Sequence, residues 1–405
     1  MIWTLLLQVA LAADLAIVGA TVLPVSGEPI AQGTVLIEDG KITAVGKDLD
    51  VPQGARVIDG AGKYLMPGII DVHSHMGVYP WPGGSAHGDG NEAVTPITAR
   101  VWAGDSVHVT DPAFSRARAG GVTTVMILPG SANLIGGEAV VLKLRPSRTL
   151  AGMRMTNAPR GIKMACGENP KRVYGDDPGG PSTRMGNLAH MRAAFQGALD
   201  YRYARLSWRD KPPRDADKDV LLDVLDGRVR VHIHCYRHDD IEGIYRVMDQ
   251  YKIQVVSFHH ALGAYKVRDL LAAHGTGIAT WADWWGFKME AHDGIPYNAA
   301  LVKSAGVPVA LHSDSANQVQ RLYVQAAKTV RYGMSEADAL TAITLDPARI
   351  IGIEDRVGSI EVGKDADLAL FSHHPLSVYT RVVQTWIDGV EVYSRDQEGT
   401  PDARP

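Results

Sequence analysis

Cysteine is nearly missing from this chain: only Cys166 and Cys235 occur in 405 residues, far apart and each inside an apolar, strand-like run. That argues against a disulfide framework and reads as two buried free thiols. Long apolar runs are missing too. None reaches the roughly 18 residues a bilayer helix needs, so a membrane span is not expected. Basic charge is not in excess, since 41 Lys and Arg stand against 45 Asp and Glu for a net −4. Nothing in that balance would neutralise phosphates, and nucleic acid is not an expected partner. No G-x-S-x-G elbow appears, which argues against serine hydrolysis. What remains, with 45% apolar and 21% charged residues, is a globular chain long enough for one large domain and a smaller one.

The first 13 residues, MIWTLLLQVALAA, form an uncharged apolar run closing on small residues. They read as a short signal peptide, with Ala10 and Ala12 supplying an A-x-A cleavage site. This predicts a periplasmic or secreted protein; an unprocessed first strand would instead leave it cytoplasmic. Residues 14–66 run in short alternating strands broken by Gly and Asp, and the same texture returns in residues 351–396. The two ends together predict a small β-sandwich, followed by a disordered tail at 397–405.

Between them, residues 67–350 alternate short apolar strands with amphipathic stretches, the pattern of a parallel sheet with crossover helices. Seven strands are expected near 68–72, 122–128, 162–167, 229–235, 254–258, 277–282 and 307–311. An eighth, EAVVLKL at 138–144, would close an α/β barrel of the (β/α)8, TIM type. Helices are expected near 187–205, 239–252, 265–274, 318–332 and 335–344.

Fifteen histidines would mean little if scattered, but several stand on the last residues of these strands, where barrel enzymes place their chemistry. His73 and His75 follow GIIDV, and alternate residues of a strand project to one side. VHIHC offers His232 or His234, and SFHH offers His259 or His260; the member nearer the mouth, His234 and His260, is preferred in each. ALHSDS offers Asp314, with His312 placed deeper as packing or support. Imidazoles and a carboxylate converging at one mouth match the preferences of Zn²⁺ and related divalent ions. Holding two such ions together requires a bridging anion. Glu168, anionic at neutral pH and near the mouth, is preferred over Lys163, which would need carboxylation and lies near the start of its strand. Arg237, Trp284 and Tyr297 are expected on substrate-facing loops, the arginine to pair with a carboxylate and the aromatics to wall a pocket. His238, Trp285 and Asn133 are further loop candidates.

The stretches MPGIIDVHSH, GVTTV, VHIHCYRHDDI, HHALGAYKV, ALHSDS and GSIEVGKDADLALF together resemble the amidohydrolase superfamily, metal-dependent hydrolases built as a (β/α)8 barrel beside a β-sandwich. The resemblance spans nearly the whole mature chain, and GENPKR and WADWWGFKMEA are most similar to its imidazolonepropionase and prolidase-like branch. It implies His73, His75 and Asp314 around a first metal, His234 and His260 on a second, and Glu168 or a carboxylated Lys163 between them. The activity implied is cleavage of an amide, lactam or dipeptide C–N bond in a small molecule by a metal-activated hydroxide, with Asp314 as general acid and base. A mononuclear deaminase is the nearest alternative. A catalytically silent binding or assembly protein of the same fold is another, disfavoured by the complete ligand set; a homo-oligomer is compatible with any of these.

Overall fold

In the computed structural model, residues 13–284 and 286–397 are described. The leader expected at residues 1–13 lies, apart from Ala13, outside them, as does the tail beyond Gln397. Seventeen strands occur among the described residues. The N-terminal set is β1 (Leu15–Val22), β2 (Ile30–Glu38), β3 (Lys41–Lys47), β4 (Arg56–Asp59) and β5 (Tyr64–Pro67). The central set is β6 (Ile69–Ser74), β7 (Val122–Ile127), β8 (Ile135–Glu138), β9 (Val140–Lys143), β10 (Arg160–Ala165), β11 (Val229–Cys235), β12 (Val255–His260), β13 (Gly277–Thr280) and β14 (Val309–Leu311). The C-terminal set is β15 (Leu368–Phe371), β16 (Val382–Ile387) and β17 (Val390–Ser394).

Both ends of the chain meet through β5 and β15, which pair antiparallel with Leu65 opposite Leu370. Where the sequence predicts a small sandwich, the ladders form one continuous mixed sheet in the order β17-β16-β15-β5-β1-β2-β3, with β4 beside β1. These strands bury Ile17, Val35, Ile37, Leu65, Leu368 and Trp386 in one core on one face, while Met66, Ala369 and Phe371 join the barrel core from the other.

The central strands build a TIM-barrel-like α/β fold. β10 to β14 run parallel in sequence order, and β6 pairs parallel with β7. The expected eighth strand corrects the all-parallel reading. It is split into β8 and β9, and both run against their neighbours: β9 is antiparallel to β7 and β8 antiparallel to β10. The cause is the connection. A parallel return needs a crossover of about a dozen residues or more, whereas only the loop 128–134 separates β7 from β8. Between β14 and β6, the carbonyls of Ala342 and Ile343 accept from Leu311 N and Ile70 N.

Amphipathic stretches become helices close to their expected places, Arg184–Ala204 capped by the Thr183 hydroxyl and His238–Tyr251 among them. No described helix is long and apolar enough to cross a membrane. One expectation about covalent structure fails. Cys166 and Cys235 are joined by a disulfide, with Cα atoms 5.4 Å apart. Ala165 pairs with His234 across β10 and β11, so the next position along both strands brings the cysteines side by side. A sequence separation of 69 residues conceals that register.

Candidate metal centre and active site

The site grows from the C-terminal ends of five barrel strands. At the end of β6, Asp71 acts as a fixed anchor: its carboxylate accepts from His73 N at 3.1 Å and Ser313 N at 3.3 Å, tying β6 to the residues after β14. Burial raises Asp71 to about 6, while Ser313 and the two amides hold it from rising further. His75 donates from Nδ1 to the Leu128 carbonyl at 2.8 Å. A carbonyl can only accept, so the His75 proton lies on Nδ1 and its Nε2 presents a lone pair. That Nε2 lies 3.2 Å from His73 Nε2 and 3.3 Å from Asp314 Oδ1. His73, His75 and Asp314 thus offer three ligand atoms all within 4.8 Å of one another.

A second group, His73, His260 and His312, likewise brings one ligand atom from each residue within 4.8 Å of the others. His234 packs beside it, its ring 4.6 Å from that of His260. Nδ1 of His234, Nδ1 of His260 and both ring nitrogens of His312 are buried with no hydrogen-bond partner. Buried polar atoms are rarely left so. Unpartnered imidazole nitrogens gathered around His73, which itself meets His75 and Asp314, fit the donor set of a divalent-metal site. Burial, reinforced by the charge of Lys163, holds His73, His234, His260 and His312 well below the usual imidazole range and takes His75 to about 3. Neutral imidazole is the metal-binding form. His260 and Asp314 also adopt left-handed backbone, with φ of 69° and 48°, a strained conformation that the surrounding fold must hold in place.

The two bridging candidates separate. Lys163 is fully buried on β10, donates to the Pro129 carbonyl at 3.2 Å, and lies close enough to Asp314 and the five histidines to shift their titration. Burial lowers it to about 8. Glu168 points elsewhere. β10 ends at Ala165, Gly167 turns the chain at φ 79°, and Glu168 opens the helix Glu168–Tyr174. A side chain at Gly167 would put its Cβ 2.5 Å from Glu290 Oε1. The Glu168 carboxylate pairs with Lys288 at 2.9 Å, and its amide donates to buried Glu290 at 2.6 Å. It therefore belongs to a rim of ion pairs, outside both ligand groups.

Asp314 also lines a cavity of about 450 Å³ with Tyr236, Trp281, Asp283, Trp284 and Phe287. Trp284 thus stands where a substrate wall was expected. Arg237 does not: it is held by Asp239, with Nε to Oδ1 at 2.8 Å. Tyr297 is half exposed and packs edge-on against Tyr332, away from the cavity. Asn133 donates to the carbonyls of Glu92 and Thr95 and pins a loop. Trp285 lies outside the described residues. The walls that sequence reasoning passed over, Tyr236 and Trp281, directly follow β11 and β13, and their position at strand ends was the available signal.

Residues 64–392 match the Amidohydrolase family. The chain belongs to the amidohydrolase family. This amidohydrolase is 35% identical to "Amidohydrolase tasK" of Hapsidospora irregularis over 88% of its own length, while spanning only 39% of that relative. It is 27% identical to an imidazolonepropionase of a Geobacillus species, over 84% of each. A solved amidohydrolase from Thermotoga maritima superposes with a TM-score of 0.88 at 38% identity, covering 94% of this chain and all of that one. Members of this family bind divalent metals and act on small molecules, and this amidohydrolase carries a His-rich candidate metal site.

Proposed function

We propose that this amidohydrolase hydrolyses a C–N bond in a small amide, lactam or dipeptide, using two divalent cations, with zinc the best match to an imidazole-rich ligand set. The carrying observation is that His73, His75 and Asp314 gather three ligand atoms within 4.8 Å, while His73 also joins His260 and His312, whose buried ring nitrogens include ones with no partner. His73, His75 and Asp314 would hold one cation, His234 and His260 the other, with Lys163 rather than Glu168 as the bridge after carboxylation of its amine. Lowering of the Lys163 pKa by burial supports this, because only the free amine adds carbon dioxide. Bound there, divalent cations supply an activated water and Lewis acidity toward the scissile carbonyl.

The chain's own groups do the rest. Asp314, whose Oδ1 stands 3.3 Å from His75 Nε2, takes a proton from the attacking water and returns it to the departing amine. Tyr236, Trp281, Trp284 and Phe287 receive the apolar part of the substrate and keep water off the reacting bond. Metal analysis of the wild type and Asp314→Asn, with a screen of N-acyl amino acids, dipeptides and cyclic ureas, tests the reading. Hydrolysis by the wild type, lost in a variant that still binds metal, supports it; a native protein that takes up no metal refutes it.

One observation favours a second reading. His73, His260 and His312 can enclose a single cation, as a mononuclear deaminase would need, and a stoichiometry of one metal with ammonia release from an aminated ring would select it. For location we propose export: the disulfide between Cys166 and Cys235 suits an oxidising compartment and agrees with the leader-like N-terminus.

A further inference from the structure

Behind His73 the barrel interior holds two histidines and a serine that the proposed reaction does not use. His73 Nδ1 lies 2.7 Å from His259 Nδ1. His259 Nε2 lies 2.9 Å from Ser257 Oγ, and Ser257 Oγ lies 2.9 Å from His232 Nδ1. Each of the four residues is at most 1% exposed. Strand geometry sets them in line: Ser257 and His259 are alternate residues of β12, and His232 on β11 stands opposite Ser257.

Two Nδ1 atoms in contact need one proton between them, so one ring donates and the other accepts. If His259 donated, the neutral His73 ring would carry its proton on Nε2, pointing at the cluster with His75 and Asp314, and could not ligate there. If His73 donates, its Nε2 lone pair faces the cluster. His259 must then carry its proton on Nε2, where it finds Ser257 Oγ as acceptor. The serine hydroxyl in turn donates to His232 Nδ1. In this direction each of the three contacts has one donor matched to one acceptor.

From this we infer that His259, backed by Ser257 and His232, is a positioning residue that fixes His73 in its metal-binding tautomer. The inference rests on His73 being a ligand, as proposed above. Metal-bound histidines are commonly oriented by such a partner, whose loss typically costs 10- to 100-fold in metal affinity. His259 is distinctive in that the partner is itself a neutral imidazole whose acceptor face depends on the hydrogen bond behind it.

The test compares zinc affinity by chelator competition in His259→Asn and His259→Phe, with thermal melts of the zinc-free proteins alongside. Asparagine retains an acceptor near the Nδ1 position, whereas phenylalanine fills the space and offers none. The expected result is a loss of about 10- to 100-fold for the phenylalanine variant and near wild-type affinity for asparagine. Equal affinities in the two variants overturn the inference. Nitrogen NMR of histidine-labelled, zinc-loaded wild type gives a second reading independent of variant folding: His259 should be protonated on Nε2 and bare on Nδ1, and the reverse overturns the inference. If wild-type protein binds no zinc, the ligand reading falls with it; if it binds zinc and the phenylalanine variant binds it equally well, only the role of His259 falls.

Discussion

Lys143 offers a quantitative test of how the terminal sheet is bolted to the barrel. It sits on β9, fully buried, and its ammonium meets Asp365 at 2.7 Å, Asp367 at 2.9 Å and Asp388 from the terminal sheet and its adjoining turns. Asp365 also pairs with Lys41 and Arg356, and Asp388 with Arg145. Among the described residues Asp367 has Lys143 as its one ion-pair partner, and its Oδ2 is buried without a hydrogen bond. Lys143→Met keeps the length of the side chain and removes the charge. Leaving a buried carboxylate uncompensated costs about 3–5 kcal/mol. At about 2.1 cal/mol/K per residue, a chain of this length loses one degree for roughly 0.8 kcal/mol, so about 4 kcal/mol lowers Tm by about 5 °C if sheet and barrel unfold together. Burial already raises the Asp367 pKa above its ordinary value, against the pull of Lys143. A raised carboxyl loses stability as pH climbs from its unfolded value through its folded one. The deficit of Lys143→Met should therefore be smallest near pH ~4 and grow toward neutrality, and adding Asp367→Asn should recover about half of it. Calorimetry across that range is the assay. A Tm change under about 1 °C at neutral pH, or no recovery in the double variant, refutes the reasoning.

Other outcomes follow from the site. Asp314→Asn should lower kcat/KM by about 10²- to 10⁴-fold with folding intact, checked by steady-state kinetics and melting. Trp284→Ala should raise KM about tenfold with little change in kcat, because it removes cavity wall and leaves the reacting groups alone; an equal fall in kcat would contradict that placement. Acid should destabilise the metal-free protein early. Burial takes His75 and His232 down to about 3, so below the ordinary imidazole value the unfolded chain binds protons that the folded chain refuses. Stability should then fall by about 1.4 kcal/mol per pH unit for each such histidine, read from urea midpoints between pH ~6 and pH ~4.

The barrel and the positions of its histidines were legible because strand periodicity is local: i, i+2 spacing at an apolar strand end fixes which side His73 and His75 face. Register between strands is not local, and that is where the reading failed. Nothing in the letters says that Cys166 and Cys235 occupy adjacent positions on neighbouring strands. The surroundings of Glu168 and Lys163 were hidden for a related reason. The turn at Gly167 follows the end of β10, so the glutamate is carried onto a helix and into an ion pair with Lys288, while Lys163 stays buried on the strand. Arg237 and Tyr297 follow β11 and β13 in the chain, but their side chains are aimed by neighbours such as Asp239 and Tyr332, which sequence order does not reveal. The antiparallel β8 and β9 were detectable in principle, since the connection from β7 is too short for a crossover helix.

Metal content per chain in Lys163→Ala and Glu168→Gln, measured beside the wild type by mass spectrometry of the native protein, tests the central claim most directly. The account predicts two divalent ions and the added mass of one carbon dioxide in the wild type, both retained in Glu168→Gln and both lost or halved in Lys163→Ala. Full occupancy in Lys163→Ala with loss in Glu168→Gln would contradict it.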